Sequence, residues 1–142
     1  MTTQAKSTYQ LKKWDEKTWD GKSYQDVAGS KLTVAVVEKQ YQGDLEGTGT
    51  MELFMFYRED GTAHFTGLER IEGKLAGRAG GFVLEHQGVF EDGLVKGSWT
   101  VVERSGSGEL AGLRGSGSSE IGHLEEYPFE LAYEFGTLPP FS

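Results

Sequence analysis

The chain has 142 residues, with 14 Lys and Arg against 22 Asp and Glu and a formal charge of −8; a single domain of roughly 150 residues can bury a core without covalent staples. Having no Cys excludes disulfides, thiolate metal sites and a cysteine nucleophile, and the acidic balance argues against nucleic acid or an anionic membrane surface as a partner. Glycine is in excess, 21 residues against 3 Pro, while 12 % of the residues are aromatic, which argues against collagen and against disorder.

From the N-terminus, MTTQAKSTYQLKKW carries no apolar signal core, and no later run approaches the ~18 apolar residues of a membrane helix. A cytoplasmic protein is the expectation. Helical stripes with caps are absent, whereas period-2 alternation recurs down the chain. It predicts strands near 8–14, 31–42, 45–58, 62–72, 79–90, 94–103, 108–115 and 127–135, with 18–30 a loop holding at most a helical turn. Glu59-Asp60-Gly61 and Glu91-Asp92-Gly93 each read as a hairpin closure, because Asp-Gly supplies the positive φ angles of a type I′ turn. GTLPPFS at the end cannot continue a strand. Eight strands with short connections and no helical layer predict one all-β domain over 1–142, its core spanning about 9–135. A closed antiparallel barrel is preferred to a sandwich, since no Greek-key crossover is evident.

Many glycines fall within these strands, where they permit the bulges and sharp coiling that closure needs. Lys74–Gly80 (KLAGRAG) and Glu109–Gly115 (ELAGLRG) resemble each other and read as two similar barrel turns. In the tract 105–119, Leu110, Ala111 and Leu113 suggest a Gly-rich strand that then runs into a mobile loop. Its Gly106-x-Gly108-x-x-Ala111 is no dinucleotide fingerprint, because no helix follows to aim N–H groups at a pyrophosphate.

Side chains alternate between the two faces of a strand. The inward sets are then Met51, Leu53, Met55 and Tyr57; Ala63, Phe65, Gly67, Glu69 and Ile71; Phe82, Leu84, His86 and Phe90; Val95, Trp99 and Val101; and Tyr127, Phe129, Leu131, Tyr133 and Phe135. Two ionisable residues intrude on this apolar interior, Glu69 and His86. Apolar walls raise a carboxyl pKa and a partner sets that of an imidazole, so the pair is the candidate acid and base. A bulge near Gly67–Arg70 that turns Glu69 outward, or a purely structural His86, is the alternative. Arg78 is either a strand-end charge paired with Glu69 or Glu85, or an anion contact at a barrel mouth. Trp14 and Trp19 read as a packing plug at one end. The three His residues show no metal-ligating spacing, so neither metal nor cofactor is expected.

Gly67-Leu68-Glu69-Arg70, the run Gly81-Phe82-Val83-Leu84-Glu85-His86-Gln87-Gly88-Val89-Phe90, the upstream Tyr41–Gly47 (YQGDLEG) and the downstream Gly106–Gly115 (GSGELAGLRG) together resemble a bacterial family known only as a domain of unknown function. The resemblance spans roughly residues 9–135. It implies an allene-oxide-cyclase-like, calycin-like eight-stranded barrel with a partly apolar cavity, and no settled activity. Relatives of that barrel shape reactive intermediates in hydrophobic cavities, but their catalytic residues do not map onto this sequence. A lipocalin is the rival fold, and its N-terminal Gly-x-Trp is missing. Three readings follow. One is a cofactor-free isomerase or cyclase acting on a small hydrophobic molecule, with Glu69 and His86 moving protons between walls that include Tyr57, Trp99 and Tyr133. The second is a non-catalytic carrier or sensor of such a molecule. The third is a barrel filled by its own side chains that serves structure or interaction, with a homo-oligomer (dimer or trimer) among the expected partners.

Overall fold

The structure, a computed structural model, describes residues 2–22 and 28–136. Eight antiparallel strands form a closed barrel in chain order: β1 (Thr3–Thr18), β2 (Lys31–Gly43), β3 (Leu45–Tyr57), β4 (Ala63–Leu75), β5 (Arg78–Glu91), β6 (Leu94–Val101), β7 (Leu113–Ile121) and β8 (Tyr127–Phe135). Pairing of Thr3–Tyr9 with Tyr127–Tyr133 closes the ring between β1 and β8. The inward sets of β3, β4 and β5 are those that alternation predicts, except that Phe90 near the end of β5 is exposed, and Glu69 and His86 both point inside. Among the described residues no helix is long and apolar enough to cross a membrane.

Asp92 and Gly93 both have positive φ, 56° and 74°, and close the β5–β6 hairpin as a type I′ turn. The β3–β4 connection is longer. There Asp60 accepts a hydrogen bond from Thr62 N at 2.9 Å, and among its loop residues Gly61 takes positive φ. Gly47, Gly73 and Gly80 lie side by side across β3, β4 and β5, and a Cβ on any of them would fall within about 2.1 Å of a backbone carbonyl oxygen. This row is the corner at which the sheet turns hardest, and only glycine fits it.

Three expectations need correction. The first strand is Thr3–Thr18 rather than 8–14, because pairing with both β2 and β8 holds its polar ends in the ladder. The tract 105–119 is reversed: a 3-10 turn occupies Gly108–Leu110, and the Gly/Ser stretch after it is β7. Tertiary contacts decide this, since a Cβ on Gly117 would stand 2.3 Å from Trp99 Nε1, so the bare strand is the bed on which Trp99 lies. The two Leu-Ala-Gly segments also differ, with Ala76 at φ 49° in a turn and Ala111 at φ −59° after the 3-10 turn. Of the predicted loop 18–30, residues 23–27 lie outside the described residues, as does 137–142 of the tail.

The interior is two apolar clusters. One, around Tyr41, Leu45, Ile71, Leu75, Phe82, Leu84, Leu110, Leu113, Phe129 and Leu131, fills the end where the 3-10 turn drops Leu110 in as a plug. The other, around Ala35, Val37, Met51, Leu53, Met55, Ala63 and Phe65, fills the opposite end. Outside the barrel, register sets Leu32 beside Phe56 and Glu52 beside Leu68, and these outward leucines and phenylalanines, with Phe54, are exposed.

Candidate active site

Between the two clusters lies a polar layer. β4 places Glu69 inward, β5 places His86, and β2 places Lys39 and Tyr41. Glu69 Oε1 accepts from His86 Nε2 at 2.7 Å and from Lys39 Nζ at 3.2 Å, while Oε2 accepts from Tyr41 OH at 2.6 Å. The carboxylate has no exposed surface. Lys39 belongs to β2 and Glu69 to β4, so they meet only by reaching across β3. Gly49, the partner of Lys39 in the β2–β3 ladder, makes that reach available: a Cβ there would be 2.1 Å from Glu69 Oε2 and 3.0 Å from the Tyr41 ring.

Burial pushes the Glu69 carboxyl up, but Lys39, His86 and Tyr41 together pull it down to about 2. The raised pKa expected of a carboxyl among apolar walls is thus reversed, because the interior also holds a cation and two further donors. His86 moves down from 6.5, mainly through burial and with help from the Lys39 charge, against the pull of Glu69. Tyr41 is pushed well up by burial and then by the charge of Glu69, as is Tyr9, whose ring lies 4.4 Å from the Lys39 ammonium. At neutral pH the layer therefore holds an anionic Glu69, and a neutral His86 whose Nε2–H donates to it. That tautomer leaves Nδ1 as the basic nitrogen.

Both clusters are buried. Around the plug, Tyr41, Phe82, Leu84, Phe129 and Leu131 are at most 2 % exposed, while Val101, Trp99 and Tyr133 of the same cluster keep 5–8 %. In the other cluster Met51, Leu53, Met55 and Phe65 keep 5–9 %, as do Lys39 and His86 of the layer. Small Ala35, Val37 and Ala63 among them are fully covered. At the end away from the plug β1 has left β8, with which it pairs only as far as Tyr9, and its inward-phased Leu11 and Trp14 are exposed. A bulge between Leu11 and Lys13 shifts the phase of β1, so that Trp14, Glu16 and Thr18 turn inward at this mouth. Glu16 accepts from Thr33 Oγ1 and Tyr57 OH, each at 2.6 Å, and from Trp14 Nε1 at 3.1 Å.

The candidate residues thus separate. Glu69, His86 and Trp99 meet at the layer, with the His86 and Trp99 rings 6.1 Å apart and the indole N–H held by the Glu130 carbonyl at 2.9 Å. Tyr57 stands at the mouth against Glu16. Tyr133 lies at the plugged end beside Phe135, and there Arg78 covers the Phe135 ring at 4.2 Å rather than pairing with Glu69 or Glu85. Trp14 is not simply a packing plug, since its indole N–H serves Glu16. Two inward ionisable residues went unread, Lys39 and Glu16. Lys39 was legible, since Thr33, Ala35, Val37, Lys39 and Tyr41 share one phase; Glu16 was hidden by the bulge.

A depression of about 680 Å³ lies outside the barrel, on β4–β7, among His64, Gln87, Lys96, Ser98, Ser118 and Glu120. It shares no residue with the Glu69 layer and is a shallow polar surface. Among the described residues, no group of three or more His, Asp or Glu side chains is arranged to hold a metal ion.

Residues 5–133 match a family described as DUF3224, protein of unknown function. A crystal structure of a DUF3224 protein of unknown function from Shewanella oneidensis MR-1 superposes with a TM-score of 0.80 at 28 % identity, covering 97 % of this chain and 100 % of the other. No curated protein matches.

Proposed function

The chain belongs to the DUF3224 family, whose function is unknown, and we propose that its barrel binds a small hydrophobic molecule in the mouth-side half and exchanges a proton with it at His86. What supports this reading is the layer itself: an imidazole held by a buried Glu69–Lys39 ion pair stands beside the apolar cluster of Met51, Leu53, Met55 and Phe65. The chemistry is that of a cofactor-independent isomerase or cyclase. His86 Nδ1 takes a proton from carbon, the electron pair shifts within the substrate, and the same proton returns at another atom, so nothing is oxidised or reduced. Glu69, with both oxygens engaged and no exposed surface, is a positioning residue that fixes the His86 tautomer. Lys39, paired with the same carboxylate, holds Glu69 in place. Trp99 supplies a flat wall and Tyr57 a polar rim.

The test needs no knowledge of the natural substrate. 5-Nitrobenzisoxazole opens when a base removes the C–H of its isoxazole ring, and an unprotonated imidazole in an apolar interior accelerates that step. The expected result is saturable ring opening that is lost in His86→Gln, whose amide can still donate to Glu69. The rate should be full at pH 7 and fall on acidification below 6.5, since the imidazole pKa lies under that value. Equal rates in the two proteins would remove His86 as the base. Saturable binding of 1-naphthalenemethanol without His86-dependent turnover would assign the barrel to the carrier reading, and no binding would remove both.

A further inference from the structure

The barrel interior holds a second buried carboxylate that this chemistry does not use. Glu16 is 7 % exposed, and its three hydrogen-bond donors, Thr33, Tyr57 and Trp14, are all neutral. Among the described residues no Lys, Arg or His lies within ion-pair distance of it. The nearby ammonium of Lys31 instead sits 5.1 Å from the centre of the Tyr57 ring. A buried carboxylate costs several kcal/mol in lost hydration, and neutral hydrogen bonds return part of that where a paired cation returns more. Three donors also leave a ligand-accepting position on a carboxylate that offers about four. Around it stand π faces: Trp14, 44 % exposed, and Phe90, an exposed ring that is inward-phased at the same end, whereas the Tyr57 ring already carries Lys31. Deeper in the barrel the Lys39 charge is already matched by Glu69, so the floor offers no unmatched cation to an anionic ligand.

Resting on the reading that the barrel takes up a ligand at this end, we infer that the ligand is cationic: an apolar molecule carrying a protonated amine, which Glu16 accepts while Trp14 flanks it. The negative charge of the whole chain, −8, favours approach of the same sign of ligand.

Three naphthalene probes of one shape separate the possibilities at pH 7: 1-naphthylmethylammonium, neutral 1-naphthalenemethanol and anionic 1-naphthoate, titrated by fluorescence into the intact protein. The ammonium should bind roughly 10-fold tighter than the alcohol, with the carboxylate weakest. In Glu16→Gln, which keeps the side-chain shape, that preference should disappear while the affinity for the alcohol stays. An alcohol bound as tightly as the ammonium by the unaltered protein overturns the inference and leaves the binding reading standing, and so does a preference that survives Glu16→Gln. Failure of all three probes to bind overturns both. The comparison within the unaltered protein decides the matter even where the variant folds poorly.

Discussion

Glu69 and Glu16 are two inward carboxylates of one barrel, each accepting three hydrogen bonds, one at its floor and one at its mouth. Their neighbours set them apart. Glu69 is tied to a lysine, a histidine and a tyrosine, and its charge is neutralised within the fold. Glu16 is tied to a threonine, a tyrosine and an indole, and its charge is not. Hydrogen-bond number alone does not tell a structural carboxylate from an available one; the charge of the donors does. The floor is therefore a fixed electrostatic unit that orients His86, whereas Glu16 at the mouth is held by neutral donors alone.

The largest effect expected from this contrast comes from truncation. Glu69→Ala strands the Lys39 ammonium and the Tyr41 hydroxyl in a dry interior and should cost about 3–5 kcal/mol. Glu16→Ala removes hydrogen bonds to three neutral groups, of which Thr33 alone is fully buried, and should cost about 1–2 kcal/mol. Urea unfolding of the two variants measures both, and equal losses would erase the distinction. Acid gives the next effect. The Glu69 carboxyl ionises near 4.5 when unfolded and near 2 when folded, so the unfolded chain takes up the proton first as pH falls. Stability from this group is complete above 4.5 and drains away between 4.5 and 2, on the order of 3 kcal/mol in all. His86, lowered from 6.5 in the fold, adds a smaller loss of the same sign that starts below 6.5. Unfolding measured along a pH series should show that slope, and Glu69→Gln should flatten its lower part.

A milder perturbation acts on the floor alone. Gly49→Ala puts a methyl group 2.1 Å from Glu69 Oε2 and should cost about 1–3 kcal/mol while displacing the carboxylate from His86. The His86 imidazole should then titrate differently by NMR, and the preference of the mouth for the ammonium probe should be unchanged. Loss of that preference would show that floor and mouth are coupled.

Much of this was legible in the chain itself. Alternation in β4 and β5 turned Glu69 and His86 inward with no help from the fold, and Asp92-Gly93 announced its hairpin. Lys39 was equally readable in β2, but a lysine among valines passes for a solvent-facing residue until closure leaves it nowhere else to go. The β1 bulge at Leu11–Lys13 has no glycine or proline to signal it, so the phase that brings Glu16 inside could not be seen locally. The Gly/Ser stretch of β7 looked like a loop because its reason to be a strand, the Trp99 indole lying on Gly117, comes from another strand.

By itself, then, the sequence determined the all-β class, the order of the strands, most of the inward faces and the presence of a carboxylate and an imidazole among them. These are local properties: side-chain alternation and turn chemistry act over a few residues. Only the tertiary structure decided that Glu69 is an anion rather than a proton donor, that Lys39, His86 and Tyr41 converge on it, and that Glu16 turns inward beyond the β1 bulge. Each of those depends on the charge and proximity of groups that closure brings together from strands far apart in the chain, and a carboxylate pKa follows its neighbours in space.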